Sequence, residues 1–287
     1  MNAVRARWDN PMPGTTKADN DCRDPEIERL IEVIEQAAAG NYHKDYEEFT
    51  RSGHSEPIRR IAEAFGMMMV NIQAREYHLE NLNKELKELN RTLKKNILQT
   101  VITIAHSLGA RDPYTEGHAR RVSEYSLRLA RHLGLPPDEQ EHVRIGGLLH
   151  DIGKIGFSDV IFANTSSQPA PEILSQIKTH PAIGMQILKD LDFLKPVLEY
   201  VLYHHEREDG SGYPQGLNGD QIPLGAKIIG IADTFDALTT DRPYQKGKPP
   251  VEAFVRLRAM SGKTFTPELV EAFIAEIKEG GMPERQA

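Results

Sequence analysis

The stretch LLHDIGKIG, from Leu148 to Gly156, sets a histidine and an aspartate side by side at His150 and Asp151, with Lys154 one helical turn later. Adjacent imidazole and carboxylate suit a site with more than one metal ion. The imidazole holds one ion, and the two carboxylate oxygens leave room to bridge to a second. This donor pair fits Fe, Mn, Zn or Ni better than Ca or Mg. A His-Asp pair at a helix end is also common as plain structure, so the reading turns on ligands elsewhere in the chain.

Such residues occur on both sides. Upstream, ARDPYTEGHARRVSEYSLRLARHLGL reads as a helix with Asp112 as cap and Pro113 at its first position, which places His118 about a turn and a half inside. The helix that leads to His150 starts near Asp138. Downstream, a helix from about Pro171 ends near Lys178–Pro181 and carries His180. A helix with Val197, Leu198, Val201 and Leu202 runs into HHEREDGSGYP, whose His204 and His205 form a second adjacent pair. Side chains of neighbouring helical residues point about 100° apart, so the pair can serve two ions, or one ion and a supporting contact. The run IIGIADTFDAL fits a strand or a buried helix by periodicity alone; its alanines favour helix, with Asp233 mid-way among apolar residues. A buried carboxylate there needs a partner. Two amphipathic helices close the chain, at about 250–260 and 267–279. The assembled set is His118, His150, Asp151, His180, His204, His205 and Asp233, too many donors for one ion and suited to two. His43, His54, His78, His132 and His142 lack such surroundings and read as surface or packing residues.

The 287 residues are enough for one or two domains, and 39% hydrophobic with 27% charged residues is a globular balance. No run of about 18 apolar residues is present, the N-terminus lacks the apolar stretch of a signal peptide, and Cys22 is the one cysteine. These features predict a cytoplasmic protein without disulfides. The net charge of −7 argues against a broad nucleic-acid face, but a metal centre would supply its own positive charge for an anionic substrate.

Residues 1–24 read as loose. Ile27, Leu30, Ile31, Ile34, Ala37 and Ala38 form one helical face, ended by Gly40 and Asn41, and a polar connector runs to Glu56. From Pro57, apolar positions recur by threes and fours: Ile58, Ile61, Phe65, Met68 and Ile72, then Leu79, Leu82, Leu86, Leu89 and Leu93, with Arg75 in the same seam. Such a heptad argues for a coiled coil, most simply a parallel dimer, whose rod passes twist or register onward; a packing helix that ends in a core is the plainer alternative. After Leu93 the pattern continues through Ile97, Val101, Ile104 and Leu108 with an offset, a stutter. Residues 25–75, with AAAGN in the connector and PIRRIAEAFGMMM entering the second helix, resemble a HAMP domain, and 76–98 read as a coiled-coil linker.

HD, then HHEREDGSGYP, then IADTFDALTTDRPY is similar to the HD-GYP family of the HD phosphohydrolase superfamily, over about residues 99–280 of a 99–287 catalytic domain. The resemblance implies an all-α, HD-type helical bundle, here preceded by the HAMP-like helical pair and parallel coiled coil. It also implies metal-dependent hydrolysis of cyclic di-GMP to linear pGpG or GMP in bacterial second-messenger signalling. A cyclic GMP-AMP phosphodiesterase or a silent cyclic-dinucleotide receptor are the alternatives. Carried over by residue, the seven donors are metal ligands, with Asp151 bridging two divalent ions, Fe or Mn. Lys154 and Arg242 meet substrate phosphate, and Gly212, Tyr213 and Pro214 are the GYP segment beside the substrate, Gly210 and Gly212 easing its turns. Asp151 and Lys154 are the catalytic candidates. Four positions depart from the family pattern. Tyr114 stands where three-metal members have a glutamate. Asn164, Thr165 and Ser166 replace a basic loop, and Gln245 follows RPY, so positive charge near the cleft is reduced. Thr266 replaces a helix-capping aspartate before Pro267.

Overall fold

The computed structural model describes residues 24–41, 44–107, 117–158, 161, 170–241 and 246–282, and the described residues contain helices and no strand. They fall into two compact units, 1–91 and 92–287.

In the first unit, helix α1 (Pro25–Ala38) starts where Asp24 accepts the Glu26 N–H at 3.0 Å. The expected polar connector contains a 3₁₀ helix, Lys44–Thr50, because Phe49 is an apolar anchor within it. Phe49 is 1% exposed and packs with Leu30, Ile58 and Ala62. The next helix, α2 (Glu56–Ser107), is one unbroken element of 52 residues that continues through the offset after Leu93. Its early turns bury Ile58, Phe65 and Met69, while Leu79, Leu82, Leu86, Leu89 and Leu93 are exposed. None of the described helices is long and apolar enough to cross a membrane.

In the second unit, α3 (His118–His132), α4 (Pro137–Leu149), α5 (Pro171–Ile177), α6 (His180–Leu188), α7 (Lys195–Tyr203), α8 (Leu224–Thr239), α9 (Pro250–Met260) and α10 (Pro267–Gly280) form the bundle. A 3₁₀ turn, Ile152–Gly156, carries the chain on from α4. The undecided IIGIADTFDAL stretch is helix α8, and it is packed on several sides at once, which is why it is apolar almost all round. One core layer joins α3, α8, α9 and α10 around Tyr125, Phe235 and Phe273. The Phe235 ring meets Tyr125 edge-on at 5.3 Å and Phe273 at 5.1 Å. A second layer joins Ile102 and Ala105 to Ile145, Leu149, Leu188 and Val201. Thr266 caps α10 through the Leu269 N–H at 3.3 Å, so the exchange from aspartate keeps the cap.

Two expected positions shift. His118 is the first residue of its helix, not a turn and a half inside: Gly117, just before it, has φ +75°, outside the right-handed helical range. His180 begins α6 instead of closing the helix before it: the chain turns at Lys178–Thr179, and Pro181 fits the first turn of a new helix. Asp112, Pro113, Tyr114, Asn164, Thr165, Ser166, Arg242 and Gln245, with residues 1–23, lie outside the described residues.

Candidate metal centre

The bundle brings all seven expected donors together from five places: the starts of α3 and α6, the ends of α4 and α7, and the middle of α8. They form two groups. His118, His150 and Asp151 offer donor atoms within 4.8 Å of one another, and so do His180, His204 and His205. Asp151 joins the groups with its two oxygens. Oδ2 lies 3.4 Å from His150 Nε2 and 3.7 Å from His118 Nε2, while Oδ1 lies 3.3 Å from His180 Nε2. Asp233 Oδ1 is 3.3 Å from His118 Nε2 and 4.0 Å from His150 Nε2.

Helix geometry decides which ring nitrogen faces inward. His150, His180 and His204 each place Nδ1 2.7–2.9 Å from a backbone carbonyl three residues earlier, those of Gly147, Ile177 and Val201. A carbonyl only accepts, so each Nδ1 carries a hydrogen and Nε2 is the nitrogen that can offer a lone pair. Two of these lone pairs, on His180 and His204, face each other at 3.3 Å. The third, His150 Nε2, is buried and makes no hydrogen bond. Converging buried acceptors need a cation among them. The residues therefore fit a divalent metal, and an oxygen–imidazole donor set is what such a site requires.

The electrostatics agree. Burial, with the neighbouring imidazoles, holds His204 well below the ordinary histidine range and lowers His205 to about 4, so both are neutral donors at pH 7. Burial works against the charged form of Asp151, but the charge of Lys154 leads the interactions that lower it well below the ordinary carboxylate range; the Lys154 ammonium is 2.5 Å from Oδ2. His118 is the exception: burial opposes its charge, yet Asp233 and Asp236 raise it to about 9. The carboxylates that favour a proton on this ring also favour a cation in its place.

Glycine allows the elements to approach this closely. A Cβ on Gly153 would lie 1.9 Å from the His180 carbonyl oxygen, and one on Gly212 would lie 2.5 Å from Glu206 Cα. Of the two glycines expected to ease turns, Gly210 has a positive φ (+75°), but Gly212 does not; it gives space instead. The Tyr213 N–H donates to the His205 carbonyl at 3.2 Å, and the Tyr213 ring stacks on the His205 imidazole with centroids 4.7 Å apart. Pro214 follows through a cis peptide bond. Lys178 Nζ stands 5.6 Å from the other partner of this stack, the Tyr213 ring centroid.

The HD domain family matches residues 99–269. The chain belongs to the HD domain family. The matched residues lie within the second compact unit, the helical bundle. The chain is 38% identical over 216 residues to a cyclic di-GMP phosphodiesterase of Thermotoga maritima, covering 71% of this chain and 58% of that protein. It is 35% identical to a cyclic di-GMP phosphodiesterase response regulator of Xanthomonas campestris pv. campestris (61% of this chain, 47% of that one). It is 36% identical to a 3′3′-cGAMP-specific phosphodiesterase of Vibrio cholerae (61% and 38%). The chain spans about half the length of these relatives.

Sequence reasoning missed two groups that build the centre. Asp236, fully buried, lies 2.7 Å from His118 Nδ1 and is gripped by Arg121. Glu206 looks solvent-facing in the charged run HHERED, yet it is buried and accepts the backbone N–H groups of Gln215, Gly216 and Leu217 at 2.7, 3.1 and 3.0 Å. It pins the loop that carries Tyr213. The signal for Asp236 was available: it sits one turn from Asp233 on a helix that is apolar all round, where a carboxylate needs partners. Glu206 left no comparable signal.

Proposed function

We propose that this chain is a metal-dependent phosphodiesterase that hydrolyses cyclic di-GMP to linear pGpG or GMP. The observation that carries the reading is Asp151, whose two oxygens face two separate histidine groups. In this reading His118, His150, Asp151 and Asp233 hold one divalent ion. His180, His204 and His205 hold the second, with Asp151 shared between them. Two ions, Fe or Mn, match a donor set of imidazole and carboxylate.

Bound divalent ions supply Lewis acidity and a nucleophile from water at neutral pH. The residues do the rest. Buried carboxylates and neutral imidazoles fix the positions of charge before substrate arrives. Lys154 and Arg242 take the phosphoryl oxygens, Arg242 with a planar fork suited to a phosphodiester. Tyr213, held between Gly212 and Pro214, walls the cleft over His205. The 25–75 and 76–98 segments act as a HAMP-like unit and a coiled-coil linker, the exposed leucine seam of α2 pairs two chains in parallel, and the protein works in the cytoplasm.

The test is cyclic di-GMP turnover, followed by chromatography, on protein purified anaerobically with its metal content measured. The expected result is turnover with about two ions per chain, abolished in Asp151→Ala and His150→Ala while helical content persists. Unaltered turnover in Asp151→Ala would overturn the reading. A second substrate, 3′3′-cGAMP, is favoured by the resemblance to the Vibrio cholerae enzyme. The ratio of kcat/KM for the two dinucleotides decides between them.

A further inference from the structure

His118 obtains its orientation differently from His150, His180 and His204. His150, His180 and His204 anchor Nδ1 on a carbonyl of their own turn. His118 opens its helix and takes its acceptor from α8, the Oδ2 of Asp236 at 2.7 Å. Asp236 lies one turn beyond Asp233 on the same face. The two carboxylates therefore close on one imidazole from opposite nitrogens, Asp233 at Nε2 (3.3 Å) and Asp236 at Nδ1. Asp236 is itself fixed. Arg121 donates Nε–H to Oδ1 at 2.6 Å and Nη2–H to Oδ2 at 3.0 Å, and the Thr240 hydroxyl donates to Oδ1 at 3.2 Å.

We infer that Asp236 is a positioning residue for the metal centre, and that Arg121 acts through it. An ionised carboxylate only accepts, so Asp236 requires a hydrogen on His118 Nδ1 and leaves Nε2, beside Asp151 and Asp233, as the nitrogen whose lone pair would take an ion in place of a proton. A carboxylate behind a metal-binding imidazole also makes the ring a stronger donor. Arg121 cannot lose its proton, and its fork occupies both oxygens, which holds the plane of the carboxylate. The inference rests on His118 being a ligand, as proposed above.

Asp236→Asn separates orientation from packing because the shape barely changes. The new NH₂ replaces one oxygen. Facing His118, it is accepted only if the ring moves its hydrogen to Nε2, and that closes the lone pair offered to the ion. Facing Arg121, it sets donor against donor on a permanent cation.

The experiment is calorimetric titration of the metal-free full chain with Mn²⁺, beside thermal melting of the same metal-free proteins. Asp236→Asn should weaken one of two ions by about 10- to 100-fold and leave the other unchanged. Arg121→Gln should weaken the same ion by less. The double variant should match Asp236→Asn alone, because a residue acting through another does not add to it. A merely structural role would lower the melting temperature and leave the affinity of the folded chain untouched; that result, or equal weakening of both ions, overturns the inference. If the unaltered chain binds no Mn²⁺, the metal-centre reading itself has failed, an outcome the wild-type titration identifies separately.

Discussion

Replacing Gly153 by alanine should break the centre without touching a ligand. Gly153 sits two residues after Asp151, and its missing Cβ would fall 1.9 Å from the His180 carbonyl oxygen and 2.6 Å from the Gly184 nitrogen. Both are backbone atoms of α6, so no rotamer change relieves the overlap. Ordinary contact requires the two segments to part by roughly 1.5 Å. The spacing affected is that between Asp151 Oδ1 and His180 Nε2, now 3.3 Å, while metal–ligand bonds tolerate about 0.2 Å. The cost of the overlap is about 1–3 kcal/mol, or roughly 2–12 °C of melting temperature for a unit of this size. Misplacement of a reacting group by about 1 Å costs on the order of 100-fold in rate. Gly156→Ala is the control, because its Cβ would meet Ile183 Cδ1 at 3.2 Å, a side chain that can give way. Differential scanning fluorimetry, metal analysis and cyclic di-GMP turnover on both variants decide the matter. If Gly153→Ala keeps wild-type melting, metal content and turnover, the close approach is not what sets the shared carboxylate.

Glu206→Gln leaves one of three backbone N–H groups facing a donor, at a cost of about 1.5–3 kcal/mol. It should lower melting by several degrees and raise KM for cyclic di-GMP more than it lowers kcat, because the loop it pins carries Tyr213; equal kinetics in variant and wild type would count against that role. Stripping metal with a chelator should lower the melting temperature, since an ion held at 100 times its Kd adds about 2.7 kcal/mol, or roughly 5–11 °C per ion. Re-addition of Mn²⁺ should restore it, and no shift on stripping would argue against metals as part of the folded unit. Leu86→Lys puts a charge into a seam position that is 64% exposed in the single chain. Sedimentation should then report a shift toward monomer, whereas a seam that pairs nothing would leave the mass unaltered.

Residues that are adjacent in sequence were the legible ones. HD and HH are pairs, and their placement at the ends of α4 and α7 follows from where apolar periodicity stops, so both could be read directly. The helical character of the chain and the two closing helices were legible for the same reason, since each is a periodic pattern. What escaped was set by contacts between distant segments. His118 and Asp236 lie 118 residues apart, and the need that links them, an acceptor for Nδ1, exists only once α3 lies against α8. Glu206 was hidden more completely. Its partners are three consecutive backbone N–H groups, which have no side-chain signature, and its own neighbours are charged, so local polarity pointed it toward solvent. The helix starts at His118 and His180 failed by a different route. In each case a capping or proline signal allowed more than one boundary, and the backbone chose between them: Gly117 with φ +75° stands before His118, and a turn at Lys178–Thr179 stands before His180. The rule that would have recovered Asp236 is general: on a helix apolar all round, a second carboxylate one turn from a proposed ligand has no solvent to face, so its partner belongs among the donors of the same site.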